Sequence, residues 1–299
     1  MTTPRWRALS SSERATRATT RWRLDLAYDG TGLHGFAAQP GQETVAGLVG
    51  AALARLTGLA SPVIVGAGRT DAGVHALAQV LHVDLPSSWE AAARVPPPER
   101  LVRSLNSQLA GRVRVIEARV VSSDFHARFS ARWRAYRYLV LEEAGPALDF
   151  TGHWSWSVPG PLDLAAMNRI AIATHGAHDF RAFCRRPSGA PDGPLTREVL
   201  AARWARHQDG FALGAPGTAV LRFDVVARSF CHTMVRSLVG AMVEVGRGTL
   251  DESFVASRLD QSGREGLARP APPGGLALVG VGYDPRDGGP AGVGAVATG

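Results

Sequence analysis

The chain contains no lysine: all 33 of its lysine-plus-arginine residues are arginine. That absence excludes Schiff-base chemistry on a lysine amine and any phosphate loop that depends on its lysine. Cysteine is nearly absent as well. Cys184 and Cys231 stand far apart in the sequence and form no CxxC pair, so neither a disulfide framework nor a zinc-finger spacing follows. A reduced, cytoplasmic chain is the expectation. Long apolar runs are missing. A stretch such as LVGAMV (238–243), closed by Glu244, is too short to cross a bilayer, and no membrane partner is expected. Residues 1–23 carry six arginines and one acid, Glu13, with no apolar segment among them. This excludes a secretory signal and predicts a disordered basic tail over 1–20 rather than a transit peptide.

What is present points to a polyanion. The 299 residues are 45% hydrophobic and carry a formal net charge of +7, with a sequence pI of about 10.5. A basic chain of this size with a substantial core favours nucleic acid as partner. Arginine suits that use, because its planar fork donates two parallel hydrogen bonds to phosphate or base edges.

Hydropathy patterning divides the chain into strands and helices. RWRLDLAYDG (21–30) alternates polar and apolar residues like a strand, and TVAGLVGAALARLTG (44–58) reads as a helix stopped by Gly58. Strands are expected at 62–68, 77–85, 112–121 and 133–143, with a proline-started helix at 96–109. The Gly/Pro-bearing stretch 144–162 suggests a boundary between an N-terminal half, 21–143, and a C-terminal half, 144–283. The second half predicts helices at 164–176 and 229–248, a hairpin from 199–210 and 218–228, and a last strand at 276–283. Residues 284–299 are glycine-rich and predict a flexible tail. Because hairpins interrupt the alternation of strands and helices, the expectation is an α/β (α+β) fold on mixed or antiparallel sheet, not a doubly wound parallel one.

The stretch GAGRTDAGVHA (66–76) follows an apolar strand and invites comparison with nucleotide loops. A GxGxxG reading needs glycine at 71, where a carboxylate would repel a pyrophosphate. A Walker A reading gives GRTDAG followed by Val-His instead of Lys-Ser/Thr. Both fail, and a nucleotide-dependent oxidoreductase fails with them. The structural alternative is a tight turn capped by Asp71. The chemical one is a carboxylate beside Arg69, where glycines let a bulky ligand approach and a guanidinium favours the ionised acid.

GAGRTDAGVHA, followed by AQVLHVD (78–84), closely resembles the signature of the tRNA pseudouridine synthase A family. Further blocks that match this family lie in order along about 21–283: YDGTGLHG (28–35), LNSQL (105–109), FHARFSARWRAYRY (125–138), GAHDFRAF (176–183), FCHTMVRSLVG (230–240) and PPGGLALVGVGY (272–283). Departures are GFAAQ (35–39), TVA (44–46) and HTMVRS (232–237), where the family commonly has GWQ.Q, TVQ and HHMVRN.

The resemblance implies the pseudouridine-synthase fold, with two related halves, a joined sheet, flanking helices and a central cleft. It implies an isomerase that uses no cofactor and no metal, acting on uridines 38–40 in the anticodon stem-loop of tRNA, with the chain working as a homodimer. By position Asp71 takes the catalytic role, Tyr136 stacks on the target uracil, and Arg236 pairs with Asp71. Arg69 is placed beside the flipped nucleotide, and Leu278 lines the uracil pocket or packs in the core. Arg128, Arg132, Arg134 and Arg137, interleaved with Trp133, Tyr136 and Tyr138, suggest phosphate neutralisation and base stacking. His75, His126 and His232 lie in separate segments without metal-ligand spacing and are expected in structural or RNA-contacting roles. The rival from another class is a non-catalytic RNA-binding or tRNA-chaperone protein of the same fold, which would have no need of Asp71, Tyr136 and Arg236 together.

Overall fold

A computed structural model describes residues 19–87, 97–143, 153–186, 189, 192–207, 219–261 and 263–284. The basic tail lies outside these residues except for its last two, and the glycine-rich tail except for its first. Among these residues ten strands form one continuous sheet: β1 (Thr19–Tyr28), β2 (Val65–Gly66), β3 (His75–Pro86), β4 (Val113–Val120), β5 (Trp133–Glu143), β6 (Trp156–Pro159), β7 (Gly176–Asp179), β8 (Thr196–His207), β9 (Ala219–Ala227) and β10 (Leu276–Gly282). The order is β4-β1-β3-β10-β5-β9-β8-β7, with β2 paired to β3 and β6 to β5. β10 runs parallel to β3, and β6 parallel to β5. The other pairings are antiparallel.

The period-2 alternation that marks β1 decides which face is buried. Trp22, Leu24, Leu26 and Tyr28 turn into the core. Arg21 and Arg23 take the other face, where Arg21 pairs with Asp84 of β3 and Arg23 with Asp25. The same division runs along β5, whose Tyr136, Tyr138 and Val140 are buried while Arg137 meets Asp224 of β9 at 2.8 Å.

Among the described residues, five α-helices complete the layers: α1 (Val45–Thr57), α2 (Pro97–Leu109), α3 (Leu164–Ala173), α4 (Met234–Gly246) and α5 (Glu252–Ser257). α1 begins at Thr44, whose hydroxyl accepts from the Gly47 amide, and ends at Gly58, which takes the left-handed conformation (φ +73°) that glycine adopts without a Cβ penalty. α2 packs on β4 and α1, and α3 on β8 and α4. One hydrophobic cluster joins Trp22, Leu53 and Leu105 at one end to Trp204, Phe223 and Met242 at the other.

β5, the last strand before the 144–162 stretch, hydrogen-bonds to β10, β9 and β6. Two expectations change. The helix expected over 229–248 starts at Met234, and its first five residues are an irregular loop. That loop is cross-linked: Cys231 forms a disulfide with Cys184, across a Cα–Cα distance of 5.8 Å. The expectation of two reduced cysteines is therefore corrected. Distance along the chain hid the pairing, because the two cysteines are 47 positions apart and only the fold brings them together.

Candidate active site

The glycine loop runs from β2 into β3 and is held from beneath by side chains. Gln79, fully buried, accepts from the Gly68 amide through Oε1 and donates through Nε2 to the Gly68 carbonyl. Its Nε2 also reaches the Tyr28 hydroxyl, which shares a 2.8 Å hydrogen bond with Thr70 Oγ1. Backbone bonds tie the loop to the 30–36 turn: Phe36 N donates to Thr70 O, and Gly73 N to Leu33 O. Glycine is required at 73, where φ is +76° and a Cβ would come within 2.9 Å of Pro273. The loop is thus pinned at Thr70 and Gly73, on either side of Asp71, and the carboxylate is left to face outward from the loop.

Asp71 meets α4. Arg236 Nη1 donates to Asp71 Oδ2 at 3.0 Å, while its Nε donates to Ala271 O at 2.8 Å. The guanidinium therefore bridges the glycine loop and the 269–273 segment. Side-chain exposure is 20% for Asp71 and 19% for Arg236, so the pair is half-buried and still reachable. On the other carboxylate oxygen, His232 Nε2 stands 3.4 Å from Oδ1. Thr233, between His232 and the helix, has φ +65°, an outlier for a β-branched residue that marks local strain. Its hydroxyl accepts from Arg185 N instead of capping α4.

Tyr136 of β5 closes the site. Its ring stands edge-on to Phe230, with centroids 5.0 Å apart, and a Cβ placed on Gly68 would lie 3.5 Å from its hydroxyl. Burial first, then the neighbouring Tyr28 and the charge of Asp71, drives the phenol far above its ordinary value. Tyr136 therefore stays protonated at neutral pH and can donate but not serve as a phenolate. Leu278 of β10 pairs with Tyr136 on one side and Ala76 on the other and is completely buried.

The structure thus brings Asp71, Arg236, Tyr136 and Leu278 together from four separate segments. It also brings His232, which the sequence reading gave a structural or RNA-contacting role; it stands in the loop that leads into the helix of Arg236. Arg69 is exposed and, among the described residues, not the partner of Asp71; Arg236 is.

The basic and aromatic residues of 128–138 separate. Arg128 and Arg132 are exposed. Arg134 is buried, and its guanidinium donates only to carbonyls, those of Ala67, Ala131, Arg228 and Arg128. It clamps the glycine loop to two other segments and is not presented to a ligand. Tyr138 is buried and donates to Pro272 O at 2.8 Å. The split follows the strand's start: Arg128 and Arg132 precede β5, whereas Arg134 and Tyr138 lie within it, between β10 and β9.

His75, buried, accepts from Gly30 N through Nδ1 and stacks on Trp154 at 4.2 Å. Among the described residues no three metal-ligating side chains gather into a group, and no helix is long and apolar enough to cross a membrane.

Comparisons with known proteins agree with one another. Residues 170–284 match a family profile described as tRNA pseudouridine synthase. A tRNA pseudouridine synthase A from Frankia casuarinae is 40% identical over 270 residues, 90% of this chain and 92% of that protein. One from Leifsonia xyli subsp. xyli is 39% identical over 90% of this chain and 93% of its own length. One from Caulobacter sp. is 40% identical over 88% of this chain and 98% of its own.

Proposed function

The chain belongs to the tRNA pseudouridine synthase A family, and we propose that it isomerises uridine to pseudouridine in tRNA with Asp71 as the catalytic carboxylate. The reaction breaks the N1–C1′ glycosidic bond and forms a C5–C1′ bond. N1 gains a proton and C5 loses one, so atoms and electrons balance without a co-reactant. What the reaction asks of a protein is a charged carboxylate at the sugar, a surface for the detached uracil, and access to a base swung out of its helix, which costs a few kcal/mol.

The observation that carries the proposal is the 3.0 Å pairing of Asp71 with Arg236 at the end of a braced glycine loop, beside Tyr136. The guanidinium holds one oxygen of the carboxylate at hydrogen-bond distance. Fixing it to Ala271 O as well keeps the acid in one position, so that reorganisation at the moment of reaction is small. Tyr136 offers its ring to the uracil and a protonated hydroxyl that can donate to a uracil oxygen, while the C5 proton leaves to another acceptor. Arg69, exposed on the same loop, is suited to hold the emptied place in the stack or to meet the neighbouring phosphate. The anticodon arm as the part of tRNA addressed, a homodimeric assembly and a cleft between two halves are parts of the same proposal, and they rest on the resemblance of the motifs.

The test is to incubate the purified protein with anticodon-arm RNA and full tRNA and to map pseudouridine. Wild type is expected to form it without added metal or cofactor. Asp71→Asn is expected to form none while binding tRNA within a few-fold of wild type. Turnover by Asp71→Asn would remove this carboxylate from the mechanism, and absence of product from wild type would leave the RNA-binding reading in its place.

A further inference from the structure

Phe129 is the most exposed large hydrophobic residue among those described, at 76%. A lone exposed apolar residue needs no explanation. This one differs in being held still and surrounded by positive charge.

The turn that presents it is fixed at every residue. His126 N donates to Ser130 Oγ at 3.0 Å, and Ser130 N to His126 O at 2.8 Å. His126 Nδ1 accepts from the amides of Arg128 and Phe129 at 3.3 and 3.1 Å. Ala127 N donates to His82 Nδ1, Tyr283 donates to Ala127 O, and Arg134 donates to Arg128 O. The inner face of the Phe129 ring stacks on His126, centroids 4.4 Å apart and planes 29° apart. The Arg128 guanidinium carbon stands 5.5 Å from the ring centroid.

Apart from the Arg228–Glu198 pair, the charge around the turn is uncompensated. Among the described residues, Arg128, Arg132, Arg134 and Arg197 do not lie within ion-pair distance of any carboxylate. Arg197 Nε is buried without a partner. Backbone contacts draw these arginines together: Arg134 bonds the carbonyls of both Arg128 and Arg228, and Arg228 N donates to the carbonyl of Glu198, next to Arg197. Burial and then the charge of Arg128 both lower the pKa of Arg197. A cluster of cations that repel one another, beside an open aromatic face, lacks an anion that also carries a flat ring.

We propose that Phe129, backed by His126, is a stacking platform for one unpaired nucleobase of the RNA substrate, with that nucleotide's phosphate drawn to Arg128. The platform deepens the tRNA-modifying function proposed above and rests on it. Arg134 and Tyr136 are two apart on one face of β5, about 7 Å, and Arg134 joins the Phe129 turn to Ala67 of the glycine loop. The stacked base is therefore a neighbour of the target uridine, held while that uridine leaves its helix. Stacking on an aromatic ring is tolerant of base identity, so the platform secures position and not sequence.

Phe129→Ala, Phe129→Trp and Arg128→Gln change exposed side chains and should fold as wild type by circular dichroism. Phe129→Ala is expected to weaken tRNA binding roughly 10-fold, within the range of a lost stack, and Phe129→Trp to restore it to within a few-fold. Arg128→Gln is expected to flatten the salt dependence of binding by roughly one unit of log–log slope. A p-benzoylphenylalanine placed at 129 should crosslink to labelled tRNA. Wild-type affinity in Phe129→Ala, or a crosslink only to a second copy of the chain, overturns the platform while leaving the function intact. Pseudouridine formation by wild type is read separately; its absence overturns both.

Discussion

His82 shows how one buried residue sets a solution property. Burial, helped by Arg21 and His126 and opposed by Asp84, pushes its imidazole down from 6.5 to about 4. It stays neutral and accepts from Ala127 N, so it braces the turn that carries Phe129. The folded state then binds fewer protons than the unfolded state between about pH 4 and 6.5. Stability is fully present above the unfolded value and is lost as pH falls through that window. Denaturant titrations of wild type and His82→Gln at pH 7, 6, 5 and 4 should show a steeper decline in wild type. Parallel declines would mean that His82 is not the group responsible. Asp71 gives the complementary case, in which the chemistry-bearing residue was legible from its neighbours in sequence, yet its partners lie 161 and 165 residues away at His232 and Arg236.

At the scale of elements, the loop before α4 carries more than its length suggests. Phe230 meets Tyr136, Cys231 is bonded to Cys184, and His232 faces Asp71. The bond ties this loop to the Arg181–Phe183 turn, and so helps to hold two groups of the candidate site in place. Closing a loop of 47 residues in sequence separation is expected to stabilise the fold by about 2–4 kcal/mol, chiefly by restricting the unfolded chain. Cys231→Ser, or reduction of wild type, should lower the urea midpoint and the Tm accordingly; a midpoint indifferent to reductant would show that the bond contributes nothing. Helix and strand patterning read this region as one continuous helix, because apolar periodicity does not register a cross-link or a left-handed residue such as Thr233. Short strands were missed for a related reason. β6 and β7 have four residues each, too few for a period to show, and they exist because β5 and β8 offer them an edge.

At the scale of the whole molecule, the last strand decides the architecture. β10 inserts between β3 and β5, parallel to one and antiparallel to the other, and turns two groups of strands into one sheet over one core. Leu278 sits at the join. Leu278→Ala is expected to cost about 2–5 kcal/mol, the range for emptying a packed leucine site. Hydrogen exchange should show β3 and β5 losing protection together; loss confined to one of them would show that the halves unfold independently.

Local chemistry was written in the sequence. Alternation marked β1, Gly58 ended α1, and the ordered blocks around GRTD announced the family and the carboxylate. These features depend on residues close to one another in the chain, where period, capping and turn geometry act directly. The tertiary structure alone decided the rest: that His232 stands with Arg236 at Asp71, that Arg134 is a buried clamp while Arg128 stays open, that Cys184 reaches Cys231, and that β10 lies between β3 and β5. Each of these depends on which strand lies beside which, and that is settled by burying one shared apolar face, a quantity that no short stretch of residues contains.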